Sequence, residues 1–292
     1  MSDPFTAHRP LLFGVAYDML GSVADAEDVV QETWLRWSAR TGPEVAEPRA
    51  YLTRIASRLA LNRLRSIRAR RESYPGPWLP EPLLIAPDVG AEVADRAERG
   101  REISIAMLVV LETLSPAERA VFVLREVFGM AHDEIASTLG RSEPAVRQLA
   151  HRAREHVHAR RPRFDADPGE HRQIAERFLA ACYSGDVRGL LELMSPDVGV
   201  VADGGGKAKA ARRPVVGADK VARLLVGIAG DGLGSLAVRF ARINGQVGVV
   251  AETSSAPVVV AIADVVDGLV HRVYIFANPD KLRGVASARQ PD

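Results

Sequence analysis

Apolar residues recur at helical spacing through the first half of the chain, and alternating and β-branched runs take over in the last third. Residues 5–20 and 25–39 read as helices. In the second, Val30, Thr33, Trp34 and Trp37 fall at i, i+3, i+4 and i+7, which predicts one shared face, and Asp25 with Asp28 supplies an acidic first turn favourable to the helix dipole. Residues 41–48 (TGPEVAEP) break the pattern. Pro48 opens a third helix where its missing N–H costs little, with Leu52, Ile55 and Leu59 as its apolar stripe. Residues 74–90 hold five prolines in seventeen positions and read as a linker. Trp78, Leu79, Leu83, Leu84 and Ile85 make that linker too apolar for a solvated tether, so it is expected to dock on another surface. Helical patterning resumes at about 91 and runs to about 161, and 162–169 form a second break. Helices at 170–184, 186–194 and 215–228 and a strand at 197–202 follow. Asn244-Gly245 and Asp267-Gly268, each between alternating runs, predict two-residue hairpin turns, so the chain ends in an antiparallel meander.

Charge sharpens this picture. The chain of 292 residues carries a net charge of +1, but the balance is local. Eight arginines and no acidic residue lie between Arg49 and Arg71, whereas the 48 residues before them hold three basic and eight acidic side chains. An acidic helix followed by a basic one predicts two partners, a basic protein surface and a polyanion such as nucleic acid. No apolar run is long enough for a membrane span, the N-terminus lacks a signal-peptide layout, and the single Cys182 precludes an internal disulfide. A cytoplasmic protein with a buried, inert Cys182 is expected.

A second element points to DNA. Ser115 and Glu118 make a capping box with Pro116 at the first helical position, and Gly129 closes that helix. A short helix ends at Gly140, and Ser142 is placed to cap a last helix whose Val146, Leu149, Ala150, Ala153 and Val157 share one face. Arg147, Gln148, His151, Arg152 and Glu155 occupy the other. That is a helix-turn-helix layout. Taken alone, either basic helix could be a solvated face; the two together favour nucleic acid.

The string Asp25–Arg36 (DAEDVVQETWLR) resembles region 2.2 of the extracytoplasmic-function sigma factors. Tyr51–Arg71 resembles regions 2.3 and 2.4, and LSPAER at 114–119 with the helices after it resembles region 4. Three further strings, WLPEP at 78–82, DGGGK at 203–207 and NPDKL at 278–282, are similar to signature motifs of the sigma factor J-like subgroup, which carries a SnoaL-like, NTF2-like C-terminal domain. The resemblance implies a multidomain protein: two all-α domains, sigma region 2 (1–73) and helix-turn-helix region 4 (108–163), joined by a linker (74–107), then an α+β NTF2-like cone domain (168–285). It implies a promoter-specificity subunit whose partners are the polymerase core, through the β′ clamp and β flap, and promoter DNA. Asp28, Gln31, Glu32 and Leu35 would bind core. Arg49, Arg54, Arg58, Asn62 and Arg65 would serve the −10 element. Arg141, Ser142, Arg147, Gln148, His151 and Arg152 would serve the −35 element.

The remaining motif residues, Trp78, Leu79, Glu81, Asp203, Gly204, Gly205, Gly206, Lys207, Asn278, Pro279, Asp280, Lys281 and Leu282, are then expected to be regulatory, with Lys207 or Lys281 paired to Glu81. Asp203, Glu252, Asp264 and His271 are the acids and bases a catalytic pocket would use. Yet no nucleophile–base pair, metal-ligand spacing or phosphate loop is present, so neither catalysis nor a metal or cofactor is expected. A ligand-sensing helix-turn-helix regulator with a small-molecule pocket is the alternative reading.

Overall fold

The computed structural model describes residues 3–41, 45–84, 103–160, 168–230 and 236–287. Ile85, the helical pattern expected from residue 91 to 102 and the break at 162–167 lie outside them. The chain divides into two compact units, one of residues 1–73, 88–103 and 107–161 and one of residues 74–87, 104–106 and 162–292.

The first unit is helical: α1 (Pro4–Leu20), α2 (Val23–Ser38), α3 (Pro48–Glu72), α5 (Pro116–Phe122), α6 (His132–Leu139) and α7 (Glu143–His158), with α4 (Ile105–Leu111) leading into the second half. Gly21, in the left-handed conformation (φ 66°), ends α1. Ser22, rather than the expected Asp25, caps α2: its Oγ accepts from the Asp25 N–H at 3.3 Å. Satisfying a donor of the first turn fixes the start two residues early. The buried side of α2 is Ala26, Val29, Val30 and Thr33. Trp37 is half-buried, and Trp34 is 45% exposed, off the face on which periodicity placed it. In α3 the deepest stripe is Leu52, Ala56, Ala60 and Leu64, and the expected Ile55 and Leu59 flank it half-buried.

The capping box at Ser115 and Glu118 is formed in both directions. The helix after it widens into a π-type segment, Val123–Val127, before Gly129 (φ 68°). Gly140 closes α6 at φ 63°, and α7 buries Val146, Leu149, Ala150, Ala153 and Val157, the predicted set.

The second unit carries helices α8 (Pro168–Ser184), α9 (Val187–Leu193), α10 (Ala218–Gly230) and α11 (Arg283–Ser287). Its strands are β1 (Met194–Asp203), β2 (Val215–Val216), β3 (Ala237–Ile243), β4 (Gln246–Glu252), β5 (Pro257–Val266) and β6 (Leu269–Phe276). Spatial order is β2-β1-β6-β5-β4-β3, with β3 to β6 the expected antiparallel meander and β1 parallel to β6. Both predicted hairpin turns have positive φ at both central residues, Asn244-Gly245 and Asp267-Gly268. Val215-Val216, expected to begin a helix, pairs with β1 instead, and α10 starts at Ala218. Two β-branched residues beside an open strand gain more from pairing than from a helix start. Helices α8, α9 and α10 pack on one sheet face through Phe178, Leu190, Leu225, Val198, Val200 and Val273. Alternation along β1 sends Asp203 to the opposite face. Among the described residues no helix is long and apolar enough to cross a membrane.

Candidate functional site

Asp28, Gln31, Glu32 and Leu35 all lie on the exposed side of α2, with Leu35 51% exposed next to Trp34. Asp28 is not free: Arg63 of α3 bridges it and Asp25, both at 2.6 Å. Glu32 pairs with Arg36 one turn on, at 2.6 Å. An acidic helix face with two wet apolar side chains suits a protein partner, because scattered single apolar residues are ordinary but adjacent large ones on a charged face are less so.

Arg49, Arg54, Arg58, Asn62 and Arg65 are all exposed on α3. Arg58 is occupied within its own unit: Nε donates to the Thr138 carbonyl at 2.6 Å and Nη2 to that of Ser137 at 2.8 Å. These carbonyls end α6, where helix geometry leaves acceptors unpaired and the dipole favours a cation. Arg71, counted within the basic run, turns inward. It pairs with Glu112 and donates to the Leu20 carbonyl at 2.6 Å. Glu112 also takes Arg119, which is 1% exposed and donates to the Asp18 carbonyl. Burial pushes the Asp18 carboxyl up to about 8, against the pull of Arg119. No sequence signal marked this Arg71–Glu112–Arg119 chain, since a buried arginine inside an apolar helix reads as a surface residue.

On α7 and its approach, Arg141, Ser142, Arg147, Gln148, His151 and Arg152 are exposed side by side. Ser142 occupies the N-cap position without a side-chain capping bond, so its hydroxyl does not close off the helix N-terminus. Arg147 pairs with Glu143 at 2.5 Å and Arg152 with Glu118 at 3.1 Å.

The strings WLPEP, DGGGK and NPDKL meet in one place. The buried Asp203 carboxylate accepts from Tyr74 Oη (2.7 Å), the Leu79 N–H (2.9 Å), the Gly205 N–H (3.0 Å) and Lys281 Nζ (2.7 Å). Lys281 also donates to the Leu79 carbonyl and lies 4.1 Å from the centre of the Trp78 ring. Asn278 Nδ2 donates to Tyr74 Oη at 2.8 Å. The glycines have reasons: a side chain at Gly204 would overlap the Ala208 carbonyl, one at Gly205 (φ 59°) the Asn278 amide, and one at Gly206 (φ 71°) would sit 2.9 Å from Pro75. Lys207 pairs with Asp280, and Pro279 and Leu282 complete the turn through the Leu282 N–H to the Pro279 carbonyl. Of the two cations expected on Glu81, Lys207 pairs with Asp280 and Lys281 with Asp203. Further along, Leu83 and Asn244 exchange two hydrogen bonds and Leu84 bridges Ile243, so residues 74–84 are fastened at both ends of the sheet.

A pocket of about 100 Å³ opens between the helices and the other sheet face, lined by Phe178, Leu179, Cys182, Tyr183, Val249 and Ile275 among other apolar residues. None of the expected acids and bases lines it. Asp203 serves the linker, Glu252 is 3.4 Å from Arg239, and Asp264 lies buried on the opposite face, where burial pushes it up to about 6. Burial also raises the Cys182 thiol to about 12, the inert state expected of it. No group of His, Cys, Asp or Glu among the described residues is arranged to hold a metal ion.

Residues 5–71 match the family model of Sigma-70 region 2, and residues 104–157 that of Sigma-70, region 4. The chain is 42% identical to the ECF RNA polymerase sigma factor SigJ of Mycobacterium tuberculosis, over 96% of this chain and 92% of the relative. It is 37% identical to the probable ECF RNA polymerase sigma factor SigI of the same organism, over 76% and 74%. The crystal structure of the M. tuberculosis extracytoplasmic function sigma factor SigJ superposes with a TM-score of 0.77 at 38% identity, covering 96% of this chain and 97% of that one.

Proposed function

The chain belongs to the extracytoplasmic-function sigma factors, non-enzymatic subunits that bind core RNA polymerase and promoter DNA to initiate transcription, and from that premise we propose how its own residues divide the work. The exposed face of α2, with Asp28, Gln31, Glu32 and Leu35, binds the β′ clamp, and region 4 engages the β flap. Arg49, Arg54, Arg58, Asn62 and Arg65 serve the −10 element, where a flipped base costs a few kcal/mol to extrude and needs a pocket. Arg141, Ser142, Arg147, Gln148, His151 and Arg152 enter the major groove at −35. Arginine suits guanine O6 and N7, and glutamine suits adenine.

The C-terminal unit regulates by holding the linker that joins the two DNA-binding regions. One observation carries this: Tyr74, Trp78 and Leu79 are bound by Asp203, Asn278 and Lys281, so the segment connecting region 2 to region 4 is fastened to a third domain. Run-off transcription with core polymerase tests it. Trimming beyond Asn278 and Trp78→Ala should change output in the same direction at matched concentration, and equal output from all three proteins would remove the proposal. The apolar pocket supports a second reading within the same regulation, an apolar small molecule with no charged group, since no charged side chain lines it. Small hydrocarbons should raise the melting temperature of the full chain and lose that effect in Ala261→Leu.

A further inference from the structure

Lys209, Arg212 and Arg213 stand out in the second unit. From Gly204 to Ala218 the chain has no acidic residue, and these three cations are exposed. Three other surface arginines of the unit are neutralised one turn away: Arg172 by Glu176, Arg188 by Glu192 and Arg223 by Asp219. Among the described residues Lys209, Arg212 and Arg213 have no such partner, whereas Lys207 at the start of the loop is committed to Asp280.

The loop is also held in shape. It leaves the Asp203 node through a turn in which the Lys207 and Ala208 N–H groups both donate to the Gly204 carbonyl. Ala210 and Ala211 pack inward against the helix-covered core, and the chain then enters β2. Its backbone at Arg212 lies so close to Gly76 that a Cβ there would be 3.7 Å from the Arg212 Cα. Gly76 follows α3, the basic helix, by four residues in the chain. Small residues thus face in, charges face out, and the backbone is fixed beside the linker that leaves the proposed −10 helix. A pre-shaped cationic ridge suits an extended row of phosphates, which needs charge and position and no base-edge chemistry.

We infer that Lys209, Arg212 and Arg213 form a third DNA contact of this sigma factor, binding the promoter phosphate backbone without regard to sequence. The inference rests on the chain bringing core polymerase to promoter DNA.

The test is a salt titration of promoter binding by the reconstituted holoenzyme, comparing the unaltered chain with Lys209→Gln/Arg212→Gln/Arg213→Gln. Each lost phosphate contact lowers the slope of log K against log salt by about 0.9, so the triple variant should lose up to about 2.7 and bind all promoter sequences more weakly. Arg212→Gln/Arg213→Gln should lose about 1.8, which keeps the test available if the triple variant melts early, and Arg212→Lys/Arg213→Lys should keep the full slope. Equal slopes and affinities would overturn the inference. So would weaker binding to core polymerase in the absence of DNA, which would assign the loop to an acidic protein surface. If the unaltered holoenzyme itself fails to bind any promoter, the sigma-factor reading fails first, and that outcome is distinct.

Discussion

Asp203 has no exposed surface, and its carboxylate gathers one ammonium, one phenol and two backbone N–H groups. Asp203→Asn takes its buried carboxylate partner from the Lys281 ammonium, which should cost about 3–5 kcal/mol. Trp78 is the only tryptophan outside α2, so in a Trp34→Phe/Trp37→Phe background its emission reports on the linker alone. Asp203→Asn should shift that emission to the red; an unmoved spectrum would show that the node does not hold the linker. Asp264 gives a pH signature of opposite origin. Its folded carboxyl is raised to about 6 by burial, above the ordinary 3.8, and one of its oxygens has no hydrogen-bond partner. The folded state therefore binds the proton more tightly than the unfolded chain. This contribution is fully present below about pH 4 and is lost as pH rises through about 6, roughly 3 kcal/mol in all. Asp18 in the other unit is raised in the same sense, so the difference between the unaltered chain and Asp264→Asn isolates the effect. Denaturant unfolding at pH 4.5 and 7.5 should show the variant losing less stability with pH, and parallel curves would refute it.

At the scale of elements, the Gly204–Gly206 turn is fixed by close approach. Gly205→Ala puts a methyl group into Asn278 at a φ of 59°. A strained left-handed residue costs about 1–3 kcal/mol, and the displaced Asn278 should release Tyr74 and redden Trp78 as Asp203→Asn does. Element types were largely legible because helix period, capping box and hairpin dipeptides are local signals: Ser115 with Glu118, Gly140, Asn244-Gly245 and Asp267-Gly268 all stand where they were read. The misreadings came from competition that a local pattern does not contain. Trp34 shares the spacing of Val30 and Thr33, yet its ring is 45% exposed, while Trp37 one turn on packs against Tyr51 of α3. Val215 pairs with β1, a partner fifteen residues away. The linker's need to dock was visible in Trp78 and Leu79, but the pairing of Lys281 with the buried Asp203 depends on which carboxylate the fold buries. Arg71, Glu112 and Arg119 were missed because each looks like an ordinary surface charge until α1, α3 and α5 pack together.

Region 2 and region 4 share one compact unit, held by Arg58 on the Ser137 and Thr138 carbonyls and by Glu112 between Arg71 and Arg119. A unit of this size has a radius of gyration of about 15 Å. Promoter elements centred at −10 and −35 lie 25 base pairs apart, roughly 85 Å of duplex at about 3.4 Å per pair. One compact unit cannot reach both, so the two regions must separate on the promoter, and those contacts are the ones that must break. Glu112→Gln with Arg58→Ala should therefore lower the cost of opening. Neutralising Glu112 leaves two buried arginines, Arg71 and Arg119, repelling one another, a penalty of about 3 kcal/mol or more on the closed form. With Cys182→Ser removing the single native thiol, dyes on Arg49→Cys and Gln148→Cys report the separation. Energy transfer should be high in the free chain, low in holoenzyme on promoter DNA, and already reduced in the free double variant. Transfer that stays high on the promoter would mean that the compact unit reads DNA as it stands. An unchanged value in the free variant would mean that Arg58 and Glu112 do not hold it closed.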